Sequence, residues 1–331
     1  MAHRSIVELM RVSAPERDLA WLQESLVNAV QLELSTIPPY LTAYWSIKGG
    51  ETKGMIFNII LQEMAHMGQA ANLLTGIGGT PAIRSEAPSY PVLGLPGGVR
   101  PEVYVYLSSL TKTWLLEVAM NIEYPEDPIK ATSLVIGVEE YPTIGAFYTA
   151  IQQAITDLQP TFDPSKQLSV NIGGNQVEVV SSVDEANAAI TIIMEQGEGT
   201  STNPDEPSGG LAHYYTFASI YHGREFVESG GTWSYSGDVI PWPETYDVRL
   251  IPKDGYPDAP LSVQTTLAEF LRVYGLLLDN LQAAWVNTDP NELSNAIINM
   301  GALQEPVIAL MQTPISGGTG NYGPYWNLTT T

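Results

Sequence analysis

Residues 55–74 read MIFNIILQEMAHMGQAANLL. The apolar residues Ile56, Ile59/Ile60, Met67, Ala70 and Leu73/Leu74 recur every three to four positions, which defines one face of an α-helix. Two polar residues interrupt that face. Glu63 follows Ile59/Ile60 by three to four positions, and His66 precedes Ala70 and Leu73 by four and seven. Both therefore belong to the buried stripe, one turn apart. An ionised Glu on a core face is costly unless it is paired or bound to metal. Glu-x-x-His aimed into a helical bundle is the spacing that sets a carboxylate oxygen and an imidazole nitrogen on one metal ion. A plain Glu–His hydrogen bond inside a core is the alternative.

Upstream, Ser13 and Glu16 make a capping box that predicts a helix from near Ala14. Its stripe runs through Leu22, Leu26, Ala29/Val30, Glu33 and Ile37, with Glu24 on the other face. Pro38-Pro39 kinks or ends this helix, and Tyr40–Ile47 resumes it. Gly49-Gly50 is a turn, and a second helix over 51–75 closes on Gly76 and Gly78-Gly79. The two helices form a hairpin with Glu33 facing Glu63 and His66. A buried Arg or amide could pair with Glu33 instead, but Arg and Lys are scarce in this chain.

Downstream, residues 80–100 are rich in Pro and Gly and read as a long loop. Residues 101–122 read as helix; Glu117 and Glu123, in or just after it, have either an inward or a solvated bearing open to them, and the solvated face is the reading adopted. Residues 124–141 form a connection. Thr143 caps a helix through Ile144, Phe147, Ile151, Ile155 and Leu158. Residues 168–180 alternate around Gly173-Gly174, a β-hairpin signature. Ser182 and Glu185 form another capping box, and the helix behind it carries Ala188, Ile192 and Glu195 on one stripe. After a polar loop, a short helix over 211–220 presents His213, Phe217 and Ile220; a lone His on such a face is more often a core residue than a ligand. Residues 223–260 mix Gly, Pro and aromatics, with His222 and Glu225 read as surface and 246–251 as strand-like. Helices over 262–285 and from Asp289-Pro290 onward make a C-terminal hairpin without inward acids or imidazoles. It packs on the bundle or offers a dimer surface. The tail over 317–327 reads as surface.

Composition limits the chemistry. The chain has 331 residues with 14 Lys and Arg against 36 Asp and Glu, a net charge of −22. Such a surface argues against nucleic acid and anionic membranes as partners. There is no Cys, so any metal is held by carboxylates and the 4 His. No apolar run approaches the roughly 18–20 residues of a spanning helix, and the first ten residues lack a signal-peptide core. The expectation is a cytoplasmic protein.

Four segments together resemble a known family: QLELSTIPPY (31–40), QEMAH (62–66), IGAFY (144–148), and EQGEG (195–199) followed by HYYTF (213–217). They resemble the ferritin-like carboxylate bundle, in the branch found at the front of iminophenyl-pyruvate dimer synthases. The resemblance covers about residues 15–225. It implies a mainly α fold: a ferritin-like four-helix bundle with long loops, a small β excursion and an added C-terminal helical hairpin. The expected division is a metal-binding bundle over 14–225 and an irregular/β segment with the hairpin over 226–331, packed as one compact unit. The resemblance also implies metal ligands at Glu33, Glu63, His66, Glu195 and His213, with Glu198 in reserve. In this family the third helix often reads Ile-Gly-Glu-Phe-Tyr; here Ala146 stands in place of that Glu. The chain then holds one metal, recruits Glu198 or a water for a second, or keeps a residual ligand set.

Carboxylates and imidazoles without thiolates suit iron, manganese or zinc. Iron with open positions points to oxygen or peroxide activation, hence a metal-dependent oxidoreductase acting on a small organic substrate, in a pocket shaped by the loops over 80–100 and 200–210 and the 223–260 region. Imine coupling is the version that the resemblance implies. A non-enzymatic metal-binding or scaffold protein and a zinc hydrolase are the competing readings.

Overall fold

A computed structural model of the 331-residue chain describes residues 4–125, 129, 143–197, 199, 203–207 and 209–328. It is mostly helical, and a hairpin of two long helices forms its centre: α2 (Leu19–Ser46) and α3 (Glu51–Gly76), preceded by the short α1 (Ile6–Met10). α2 begins later than the Ser13 capping box predicts. Ser13 and Glu16 do bond through their side chains, at 2.7 Å, but Ala14–Glu16 forms only a 3₁₀ turn with Pro15 in it. The chain extends at Arg17, and Asp18 caps α2 by accepting from the Trp21 N–H at 2.8 Å. Pro38 and Pro39 do not end α2. Pro39 lacks the N–H that would bond the Ser35 carbonyl, and the Tyr90 hydroxyl donates to that carbonyl at 2.5 Å instead. The loop over 80–100 thus supplies the donor that lets the helix continue.

α3 ends as expected. Gly78, with φ +79°, folds the chain back so that its N–H and that of Gly79 reach the carbonyls of Thr75 and Leu74 at 3.0 and 2.9 Å. The loop beyond contains a two-residue ladder, β1 (Val92–Leu93) with β2 (Tyr104–Val105). Helix starts only at 112, capped by Thr111, rather than at 101: α4 (Lys112–Trp114) leads through a π-helical turn, Leu115–Ala119, into α5 (Met120–Ile122). The connection expected over 124–141 lies mostly outside the described residues.

α6 (Ile144–Leu158) starts where predicted, its cap Thr143 accepting from the Ala146 N–H at 3.0 Å. β3 (Val170–Ile172) and β4 (Asn175–Val177) turn at Gly173-Gly174, both at positive φ. α7 (Val183–Gly197) begins at its capping residues, but it buries Ala186, Ile190, Ile193 and Gln196 and leaves Ile192 exposed. That spacing is as helical as the Ala188–Ile192–Glu195 stripe, and periodicity alone does not choose between the two faces. α8 (His213–His222) runs into the antiparallel hairpin of β5 (Arg224–Ser229) and β6 (Thr232–Val239). Residues 246–251 form no named strand; Val248 bridges Asn321.

α9 (Leu261–Asn287) and α10 (Pro290–Ala302) make the C-terminal hairpin, and α11 (Gln304–Met311) follows after a break at Leu303, where Pro306 stands in the first turn of α11. The tail lies on the surface only over 317–319, and its aromatic end turns inward. Trp326 is 1% exposed, stacked on Trp45 at 6.0 Å and edge-on to Phe270 and Tyr274, with its indole N–H donated to the Thr42 hydroxyl at 3.1 Å. A large indole buries more apolar area there than a solvated tail would. No helix of the described residues is long and apolar enough to cross a membrane.

Candidate metal centre

Glu33 from α2 and Glu63 and His66 from α3 meet inside the hairpin, as their stripes predict. Glu123, just after α5, and His213, the first residue of α8, complete the cluster, and all five are buried. Glu123 is not solvated, contrary to the sequence reading. A π turn holds one residue more than an α turn and turns everything after it back by about 100°. Glu123 thereby takes the inward bearing that Ile122 would hold on an unbroken helix. Position 146 does not line the cluster, whereas Gly145 and Tyr148 do; the third carboxylate comes from a different element.

Each acid has one oxygen tied by a hydroxyl and one turned toward the imidazoles. Tyr148 donates to Glu33 Oε1, Tyr40 donates to Glu123 Oε1, and Thr36 lies 2.7 Å from Glu63 Oε2. Thr36 is also 2.8 Å from the Glu33 carbonyl, so its single proton serves one acceptor at a time. The other oxygens converge. Glu63 Oε1 is 2.7 Å from His213 Nδ1 and 4.0 Å from His66 Nδ1; Glu33 Oε2 is 3.7 Å from His66 Nδ1; Glu123 Oε2 is 3.6 Å from His213 Nδ1. The two rings stack with centroids 5.6 Å apart.

The outer nitrogens follow one pattern. His66 Nε2 is 2.7 Å from Gln196 Oε1, and His213 Nε2 is 2.9 Å from Gln62 Oε1. Gln62 donates its Nε2 to Glu206 at 2.7 Å, which fixes its amide orientation and makes His213 Nε2 the donor. An imidazole whose far N–H is held by an amide oxygen presents its other lone pair inward, the arrangement typical of a metal ligand. His213 Nδ1 is buried without an aligned hydrogen bond although Glu63 Oε1 is only 2.7 Å away. A lone pair facing a carboxylate at that distance calls for a cation or a proton between them.

The electrostatics agree. Among the described residues, the Arg and Lys ion pairs all involve other acids, so no basic side chain neutralises this cluster. Burial, reinforced by the Glu123 charge, pushes the Glu63 carboxyl up to about 7. Burial disfavours the His213 cation, but the adjacent carboxylates of Glu123 and Glu63 outweigh it and hold the imidazole at about 10. Burial and the Glu33 and Glu63 charges push the Tyr148 phenol well above its usual range; burial and Glu123 do the same to Tyr40. Both phenols therefore stay protonated as donors. Without a cation, the cluster retains protons to offset its charge.

Among the described residues, two groups of donors could hold a metal ion: Glu33, Glu63 and His66, and Glu63, Glu123 and His213, with Glu63 common to both. Their oxygen and nitrogen donors suit iron, manganese or zinc. A cavity of about 30 Å³ lies among them, bounded by Ile122, Ile144, Ile193 and Met194 on its apolar sides. Glu195 is half-buried and belongs to neither group; on the face that α7 presents inward, its neighbour Gln196 reaches His66 instead. Glu198 lies outside the described residues. His213 folds back beside Glu63 rather than Glu195, a contact between elements far apart in sequence that no local spacing signals.

A family model described as ferritin-like matches residues 26–222. The chain belongs to the ferritin-like family. The crystal structure of a ferritin-like protein from Caulobacter vibrioides superposes with a TM-score of 0.63 at 20% identity, over 94% of this chain and 99% of that one. At that identity the likeness speaks to the fold alone. No curated protein matches the chain.

Proposed function

We propose that the chain is a metal-dependent oxidoreductase, with two metal ions sharing Glu63 and a small organic molecule as substrate. The observation that carries this reading is the inward convergence of one free oxygen from each of Glu33, Glu63 and Glu123 on two imidazoles whose far nitrogens are tied to glutamines. Iron bound there would supply one-electron chemistry with oxygen or peroxide. The chain's own groups do the rest. Tyr148, Tyr40 and Thr36 hold the carboxylates, Gln196 and Gln62 hold the imidazoles, and Ile122, Ile144 and Ile193 keep water from the cavity.

A cleft of about 650 Å³ opens on the other side of Gln62, lined by Asp205, Glu206, Leu211, Phe226 and Trp233. Its size and mixed walls fit a small-molecule site; of the three regions expected to shape a substrate pocket, the 200–210 loop and the 223–260 region contribute to it, and the 80–100 loop does not. Imine coupling on an oxidised aromatic amino acid, as in the iminophenyl-pyruvate dimer synthase branch, is the specific reaction we propose on the strength of the sequence resemblance.

Elemental analysis of protein purified without added metal tests the centre: about two ions per chain are expected. Oxygen uptake and a visible absorption band after Fe(II) addition test the oxidoreductase reading. A colourless, zinc-loaded protein that consumes no oxygen would sink it.

A further inference from the structure

In the EQGEG segment (195–199), Glu195 stays outside the acid cluster and Gln196 reaches His66, but Gly197 also faces the acids. Gly197 ends α7, three and four positions after Met194 and Ile193, and all three line the cavity of about 30 Å³. A Cβ at this position would meet one heavy atom within 4 Å outside its own helix: the inward oxygen of Glu123, Oε2, at 3.7 Å. Gly197 lies within the helix, a conformation open to any residue with a side chain. The absence of a side chain is therefore no demand of the backbone. It leaves open the space beside a carboxylate oxygen of the second donor group, where any other residue would place carbon.

Size decides what can enter that space. One water molecule needs about 10–15 Å³ of such volume and a benzene ring about 150 Å³. The cavity, at about 30 Å³, therefore takes about two or three heavy atoms and excludes a ring. Leu32, Ile122 and Ile193 in its wall are buried, and close packing keeps them from yielding to a larger guest. The cleft of about 650 Å³ does have room for an organic molecule, but Gln62, 6% exposed, stands between it and His213. We propose that Gly197 is a specificity-determining residue: it keeps room beside Glu123 for one ligand of two or three heavy atoms, the class of dioxygen, hydrogen peroxide and azide, while the organic substrate stays in the cleft. The proposal rests on the metal reading above and names what reaches that centre directly.

The test is titration of the full chain, loaded with Fe(III), with azide and with phenol, read by charge-transfer absorption and accompanied by metal analysis. In wild type, azide is expected to give a saturable band and phenol none. Gly197→Ala should keep the metal content of wild type and weaken azide binding by about 10-fold or more, because the added methyl occupies the room that the ligand needs. Gly197→Ser fills the same room with a polar side chain and should do the same, which separates lost space from added apolar surface. Wild type that takes up no metal overturns the metal reading and this proposal with it. With metal in place, the proposal alone is overturned if azide gives no saturable band, if phenol binds, if either variant loses metal, or if either binds azide as tightly as wild type does.

Discussion

Glu63 is common to both donor groups, so Glu63→Ala is expected to remove metal from both positions, while Glu123→Ala should lower the content from about two ions per chain to about one. Glu195→Ala and Glu24→Ala, the latter removing an acid already paired with Arg4 at 2.6 Å, should leave metal content unchanged. Plasma emission measurements on the four variants decide this; equal content in all four would remove the case for a centre built on Glu63. The same residues show what a sequence can convey. Glu33, Glu63 and His66 sit in register with apolar neighbours three and four positions away, and that register is local. Glu123 was hidden by the π turn, because a shift of one residue in hydrogen bonding leaves no trace in the apolar pattern. His213 was visible only through family resemblance, since its approach to Glu63 depends on how α8 returns to α3.

Among the elements, α7 gives a direct test of which face is inward. Ile193→Ala removes a buried side chain and should cost about 2–4 kcal/mol, whereas Ile192→Ala on the exposed face should stay within about 0.5 kcal/mol. Urea unfolding midpoints measure the difference, and a larger loss at Ile192 would contradict the fold of this helix. α2 offers another test. Tyr90→Phe leaves the Ser35 carbonyl without its donor and should destabilise by about 1–3 kcal/mol, read the same way. Helix starts also carry a pH dependence. The Ser181 backbone N–H and hydroxyl hold the Glu185 carboxyl below its usual value of 4.5, and Ser5 does the same for Glu8. Because the folded state lowers these values, the stabilisation is present above about pH 4.5 and fades as the pH falls through the lowered value. Glu185→Gln should therefore reduce the loss of stability on acidification, visible as a shallower fall in melting temperature below pH 5.

For the molecule as a whole, the C-terminal segment joins the bundle core through Trp326, and Trp326→Ala should cost about 3–5 kcal/mol in a denaturant titration. The tail's Gly-rich composition pointed to the surface, because composition records flexibility and not where a single indole finds a vacancy. The ferritin-like bundle itself was legible from the two long helices and the motifs on them. The depth of the tail was not, since it arises from packing between segments far apart in the chain.

Gln62 touches the cleft on one side and the acid cluster on the other, holding Glu206 with its nitrogen and His213 with its oxygen. Any guest that draws Glu206 away frees the amide to rotate, and rotation would leave the imidazole N–H facing an NH₂ group. The ring would then have to give up its orientation or its proton. News of an occupied doorway can reach the interior through a single side chain, before the visitor has passed the wall.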